Sequence, residues 1–173
     1  NGGTMAGVTD WRLLCQRYLP AYAPSFSYPA LIVTRWTTAA KNQLADNAVV
    51  SLNNGGFTYK GYDHATAPSS ETLGKLVIEP YGRLDLSSVL GATSGAPSPK
   101  LILSDATTGI DRRANSRGTM IVYGASGTYS GVPIGYPSAD LIVSNGVPTD
   151  VLLPWVASSF GEFMRVNGTT KAL

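Results

Sequence analysis

The sequence predicts an all-β domain, an antiparallel β-sandwich of the jelly-roll type with a few short helices in its connections. Three observations carry that prediction. Short strand-like runs recur along most of the chain, and Gly, Pro and Asn cluster between them. Charged residues make up only 14%, against about 25% in an ordinary soluble domain, while 19 Gly and 11 Pro mark frequent turns. Many short strands with Gly/Pro-rich turns argue for a sandwich or jelly roll.

The first element is the one strong helix signal, Thr9 to Tyr18 (TDWRLLCQRY). Thr9 or Asp10 can cap its start, and Trp11, Leu14, Cys15 and Tyr18 share one face at the i, i+3, i+4, i+7 spacing. Pro20 stops the run, so the helix is short and needs a sheet to pack on.

Strand-like runs follow at Ser25 to Trp36, Ala48 to Leu52, Phe57 to Tyr62, Lys75 to Glu79, Lys100 to Leu103, Thr119 to Tyr123, Ala139 to Ser144, Val151 to Val156 and Glu162 to Val166. Asn53-Asn54-Gly55-Gly56, Gly91 to Pro99, Asn145-Gly146 and Asn167-Gly168 supply the turns, because Gly and Asn tolerate positive φ and Pro fixes a negative one. Thr37 to Asn47 is rich in helix formers and predicts a surface helix, with a further helical turn at Leu86 to Leu90. Tyr129 to Pro137 reads as an exposed loop, since Pro133 and Pro137 remove ladder donors. Gly124 to Gly127 reads as a turn, and no internal repeat is visible.

At 173 residues the chain fits one domain, 1–173, with 1–8 as an arm and 167–173 as a tail. A domain of this size buries roughly 70% of its unfolded surface and needs no metal or disulfide staple. The single cysteine closes no internal bridge. No apolar run approaches the ~20 residues that a membrane-spanning helix requires. Asn1, without an initiator Met, and the final NGTTKAL read as cut ends. The low charge suits a surface buried against another protein, since few ions must lose water. A net charge of +2 is too small to condense nucleic acid.

Candidate chemistry is sparse. Cys15 and His64 are the only thiol and imidazole, and a dyad between them is formally available. Cys15, however, falls on the apolar helix face, and His64 falls in a loop beside Asp63. Ligands for a metal are not clustered, no phosphate-cradling glycine pattern precedes a helix, and no cofactor is expected. The expectation is that the protein is not an enzyme. The densest charge, Arg112, Arg113 and Arg117, offers guanidinium forks to RNA or to an acidic partner. Asn167-Gly168-Thr169 is a formal glycosylation sequon.

Arg12, Leu14 and Arg17-Tyr18, followed by the aromatic and proline-rich stretch to Tyr28, resemble the short Ser/Thr-x-Arg-x-Leu-x-x-Arg-aromatic helix near the start of capsid proteins of picorna-like viruses of insects and algae. Thr149 to Phe163 resembles the same family's late strand, with Pro154, Trp155, Ser158, Ser159 and Phe160 at the matching places. The resemblance implies a single jelly-roll capsid domain, found in the virion and in the host cytoplasm during assembly. Such a subunit would join sister subunits into an icosahedral shell around RNA. Trp11, Tyr18, Trp155 and Phe160 are then expected as packing or interface anchors, and Arg112, Arg113 and Arg117 as contacts to RNA or a neighbour. A secreted β-sandwich that binds carbohydrate through exposed Tyr and Trp is the alternative. A thiol enzyme built on Cys15 and His64 is a third reading.

Overall fold

A computed structural model of the chain describes residues 9–14, 30–34, 43–62, 68–88, 98–113, 117–126, 129–132, 139–158 and 160–173. The described residues are all-β. The strands are β1 (Asp10–Leu14), β2 (Ala30–Thr34), β3 (Val49–Asn53), β4 (Gly55–Gly61), β5 (Ser70–Leu73), β6 (Lys75–Ile78), β7 (Tyr81–Ser88), β8 (Lys100–Leu103), β9 (Ile110–Asp111), β10 (Thr119–Ser126), β11 (Tyr129–Val132), β12 (Asp140–Val143), β13 (Leu153–Ser158) and β14 (Phe163–Met164).

Their pairing corrects the expected antiparallel sandwich. The first sheet runs β1-β3-β6-β9, the second β14-β13-β10-β7-β4-β2 with β11 beside β10, and the third β12-β8-β5. Within these sheets only β10–β11 and β13–β14 pair antiparallel; every other pairing is parallel. The chain visits the sheets in rotation, through β3, β4 and β5, then β6, β7 and β8, then β9, β10 and β12, and each circuit adds one strand to each sheet. That is a parallel β-solenoid with three faces, in which strands adjacent in sequence lie in different sheets and strands one coil apart pair.

The solenoid interior explains the alternation in the sequence. Along β7 every second residue is buried, with Gly82, Leu84, Leu86 and Ser88 inward and Tyr81, Arg83, Asp85 and Ser87 outward. In-register pairing then stacks like positions from coil to coil. Val50, Leu76 and Ile110 line the first sheet, Phe57, Leu84 and Val122 the second, and Leu73, Leu103 and Val143 the third, all buried. Tyr59 is fully buried, and its hydroxyl satisfies itself by donating to the Ser69 carbonyl at 3.3 Å. Gly82 is small for a packing reason, because a Cβ there would stand 2.9 Å from Leu52 Cδ1 in the same interior.

Corners stack as the strands do. Asn54, at φ 56°, turns the chain from the first sheet into the second, and its N–H donates to the Tyr81 carbonyl of the next coil at 2.9 Å. The Asn53 to Gly56 signal is thus a turn, as expected, but it links two sheets rather than two strands of a hairpin. Between β8 and β9, Asp105 Oδ1 accepts from Thr107 N at 2.9 Å, Thr107 Oγ1 at 2.6 Å and Thr108 N at 3.0 Å. The Thr107 hydroxyl foremost, with the two backbone amides, holds the Asp105 carboxyl down at about 2. Because its folded pKa lies below the ordinary value of 3.8, Asp105 contributes stability above about pH 4 that is lost as pH falls through about 2. Urea unfolding at pH 5 and pH 2.5 should therefore show Asp105→Asn less stable than the parent at pH 5, with the gap narrowing at pH 2.5.

Several expectations on local structure change. The predicted Thr9 to Tyr18 helix is a strand over Asp10–Leu14, paired in parallel with Val49–Asn53, and the segment beyond Leu14 lies outside the described residues. Trp11-Arg12-Leu13 alternates apolar and polar as well as it fits a helix face, and the exposed edge of β3 supplies backbone partners that override a short helix's weak preference. Within Thr37 to Asn47, residues 43–47 form a bend, a bridge and a turn, not a helix. Of the helical turn expected over Leu86 to Leu90, residues 86–88 continue β7 and residues 89–90 lie outside the described residues. Gly124 and Ser126 belong to β10, not to a turn. Tyr129–Val132, expected as loop, forms an edge strand on β10, and the prolines that follow lie outside the described residues.

At the far end, β14 pairs antiparallel with β13, and the expected tail 167–173 folds back onto the third sheet. Leu173 N donates to Leu141 O at 2.9 Å and Val143 N to Lys171 O at 2.8 Å. Asn167 Oδ1 accepts from Thr169 N and Thr170 N, each at 2.9 Å, which shapes the turn that lets the chain reverse. Reversal of direction covers the last coil, whose core and open strand edge would otherwise face water.

Candidate binding surface on the second sheet

The second sheet is the longest, and its outer face carries the densest set of aromatic and charged side chains among the described residues. Register fixes who neighbours whom. Thr58 of β4, Asp85 of β7 and Tyr123 of β10 form one outward row across three coils, with Arg83 and Ile121 in the adjacent row. Strands in such a sheet stand about 4.8 Å apart, so side chains in a row repeat at that interval along the solenoid axis.

Arg83 ties this face together. Its Nε donates to Asp85 Oδ1 at 2.9 Å and Oδ2 at 3.0 Å, and its guanidinium lies over the Tyr123 ring, 4.2 Å from the centroid. Arg83 and Asp85 share one strand face because they are two residues apart. Thr58 Oγ1 donates to Asp85 Oδ2 at a long 3.4 Å. The cluster is half-exposed, so its ion pair holds geometry more than it adds stability.

A second group gathers at the strand starts of the same face. Tyr81 opens β7 opposite Thr119, which opens β10, and Trp155 of β13 immediately precedes Val156, the partner of Met120. Arg112 reaches this place from just after β9. Its Nε donates to Gly118 O at 2.8 Å, and its guanidinium stands 6.0 Å from the Trp155 ring centroid, at the outer limit of a cation–π contact. Arg113 forms an ion pair with Glu79, two residues before Tyr81. Arg117 is exposed, two residues before Thr119.

The arrangement can stack on flat apolar ring faces and exchange hydrogen bonds and charge. Among the described residues no three His, Cys, Asp or Glu side chains gather as a metal site. Cys15, His64 and Tyr18 lie outside the described residues, so the dyad and one anchor are not placed. Trp11 sits in β1. Trp155 is half-buried against the core edge, whereas Phe160 is 61% exposed. Of the three arginines expected as contacts, Arg112 stands beside Trp155, Arg113 is paired with Glu79, and Arg117 is exposed just before β10.

Arg83, Asp85 and Tyr123 were not singled out in the sequence. The signal was present, as strict alternation in Tyr81 to Ser88, YGRLDLSS, which places Tyr, Arg and Asp on the side opposite Leu84 and Leu86.

No family model matches the chain, and neither the curated proteins nor the solved structures give a match.

Proposed function

We propose that the protein is a carbohydrate-binding module that takes an extended glycan along the outer face of its second sheet. One observation carries the reading. Tyr81, Tyr123 and Trp155, with Thr58, Arg83 and Asp85 among them, are set on successive parallel strands of a single face. Sugar rings present apolar faces and hydroxyl edges together, so they need aromatic planes with hydrogen-bonding groups close by. A polymer also presents its units repeatedly, and a solenoid is built to repeat side chains along its axis.

Glycan-array binding followed by calorimetry on the best oligosaccharide tests the proposal. The Tyr81→Ala/Tyr123→Ala variant should lose more than about tenfold in affinity, while its urea midpoint stays near the parent's because both side chains face outward. Binding that is unchanged in this variant, or a parent that binds no glycan on the array, would sink the reading.

A second reading is a subunit of a multi-copy shell, in keeping with the resemblance to virus capsid proteins. The observation in its favour is the exposure of Val151 (50%), Leu152 (64%), Phe160 (61%) and Phe163 (57%) around β13 and β14, on a chain with few charges to desolvate. Electron microscopy with light scattering separates the two: uniform spherical particles support the shell, and a monodisperse monomer at all ionic strengths overturns it.

A further inference from the structure

We infer that the glycan is acidic, and that Arg112 and Arg117 form the subsite that reads its carboxylate, beside the Trp155 ring. The inference rests on the carbohydrate-binding reading and names the class of sugar at that same face.

Charge accounting across the face selects these two residues. Arg83 is neutralised in place by Asp85 at 2.9 Å, and Arg113 is paired with Glu79. Arg112 and Arg117 have no carboxylate partner among the described residues; Asp111, next to Arg112, belongs to β9 of the first sheet. Lys60, outward near the end of β4, has an interaction of its own. The arginines of the described part of the face that lack a carboxylate partner thus stand at one end, where the strands begin, and the Arg83–Asp85 pair in the middle is balanced.

Geometry makes that end a subsite. Arg112 is held by its Nε bond to Gly118 O, a bond that uses one of the five donors of the guanidinium. A guanidinium fixed in this way loses little freedom when it forks onto a carboxylate. Trp155, 6.0 Å from the Arg112 guanidinium, supplies an aromatic ring at the same place, and Arg117 is exposed two residues before Thr119, where β10 begins. A uronate unit beside Trp155 would then offer its carboxylate to Arg112, with Arg117 as the second cation at the entry to β10. Single-stranded nucleic acid also combines negative charge with stacking, but it draws on many cationic contacts along its backbone, and among the described residues two arginines without a carboxylate partner stand at one end of the face.

The test is calorimetric titration with a hexamer of β-1,4-linked glucuronate and with cellohexaose, which share linkage and ring and differ in the carboxylate. The glucuronate hexamer should bind about tenfold more tightly, and the advantage should shrink as salt is raised. Arg117→Gln, at an exposed position, should bring the ratio of the two affinities towards one. Arg112→Lys should also lower it, since an ammonium keeps the charge but lacks the fork.

Equal binding of both hexamers overturns the acidic assignment and leaves the carbohydrate reading standing. Binding of neither by a protein that also fails on the array overturns both. A deoxythymidine decamer that binds more tightly than the glucuronate, with the same dependence on Arg117, overturns the inference in favour of nucleic acid.

Discussion

Phe57→Ala is expected to lower the unfolding free energy by about 3–5 kcal/mol, the range for emptying a large aromatic site in a packed core. Phe57 is fully buried and stacks directly above Leu84, which stacks on Val122 in the next coil. In a solenoid each interior residue is supported mainly by the like-placed residue one coil before and one coil after it. A cavity at Phe57 therefore loosens Leu84 as well, and neither backbone can close the gap without breaking parallel hydrogen bonds. Thr58→Ala, one residue along and facing outward, is the control and should cost less than about 1 kcal/mol. Urea unfolding of the two variants gives the comparison. Leu84→Ala should cost about 2–5 kcal/mol alone, and the double variant less than the sum, because both substitutions open one shared cavity. Equal effects for Phe57→Ala and Thr58→Ala would contradict the inward and outward assignment of β4, and with it the outward placement of Thr58 on the second sheet.

The β class and most strand positions were legible because they depend on local pattern. Lys100 to Leu103 and Thr119 to Tyr123 alternate or cluster apolar residues over a strand's length, and both are strands. Strand direction was not legible. Asn53 to Gly56 and Asn145-Gly146 carry the chemistry of tight turns, yet the same left-handed residues serve a corner between sheets, as Asn54 at φ 56° and Gly146 at φ 76° do. The coil repeat was hidden for a related reason. Val50, Leu76 and Ile110 occupy equivalent places but are unequally spaced along the chain, since the segments that connect the strands differ in length. The outer face of the second sheet shared that difficulty. Tyr123 and Asp85 are neighbours only through the parallel register of β7 and β10, so nothing in their local sequence brings them together. Arg112, Arg113 and Arg117 could be found because they are close in sequence, and Trp155 because it follows a proline in an apolar run.

Glu71→Ala carries the second large effect, expected at about 2–4 kcal/mol, and it arises from a polar group in the core. Glu71 is fully buried on the inward side of β5, in register with Leu101. Its carboxyl group accepts from Leu44 N at 2.8 Å and from Gln43 N at 3.1 Å and 3.2 Å, so a side chain of the third sheet closes the backbone of the segment that runs between β2 and β3. Truncation to alanine removes the acceptor for two amides at once, and each buried amide left unpaired costs about 1–3 kcal/mol. Leu44, itself buried, loses its anchor too. The same segment leads into Ala48, whose carbonyl accepts from Gly74 N at 2.9 Å and Lys75 N at 3.2 Å at the start of the next coil. The disturbance should consequently spread from residues 43–44 to the β5–β6 corner rather than towards β13. Glu71→Gln, which keeps one carbonyl acceptor, should cost clearly less than alanine. Amide hydrogen exchange reads the mechanism directly, with faster exchange at Gln43, Leu44 and Gly74 in Glu71→Ala and unchanged protection at Met120 and Val122. An alanine variant as stable as the parent, with Leu44 still protected, would mean that the segment is held by its apolar contacts alone and that the buried carboxyl group is dispensable.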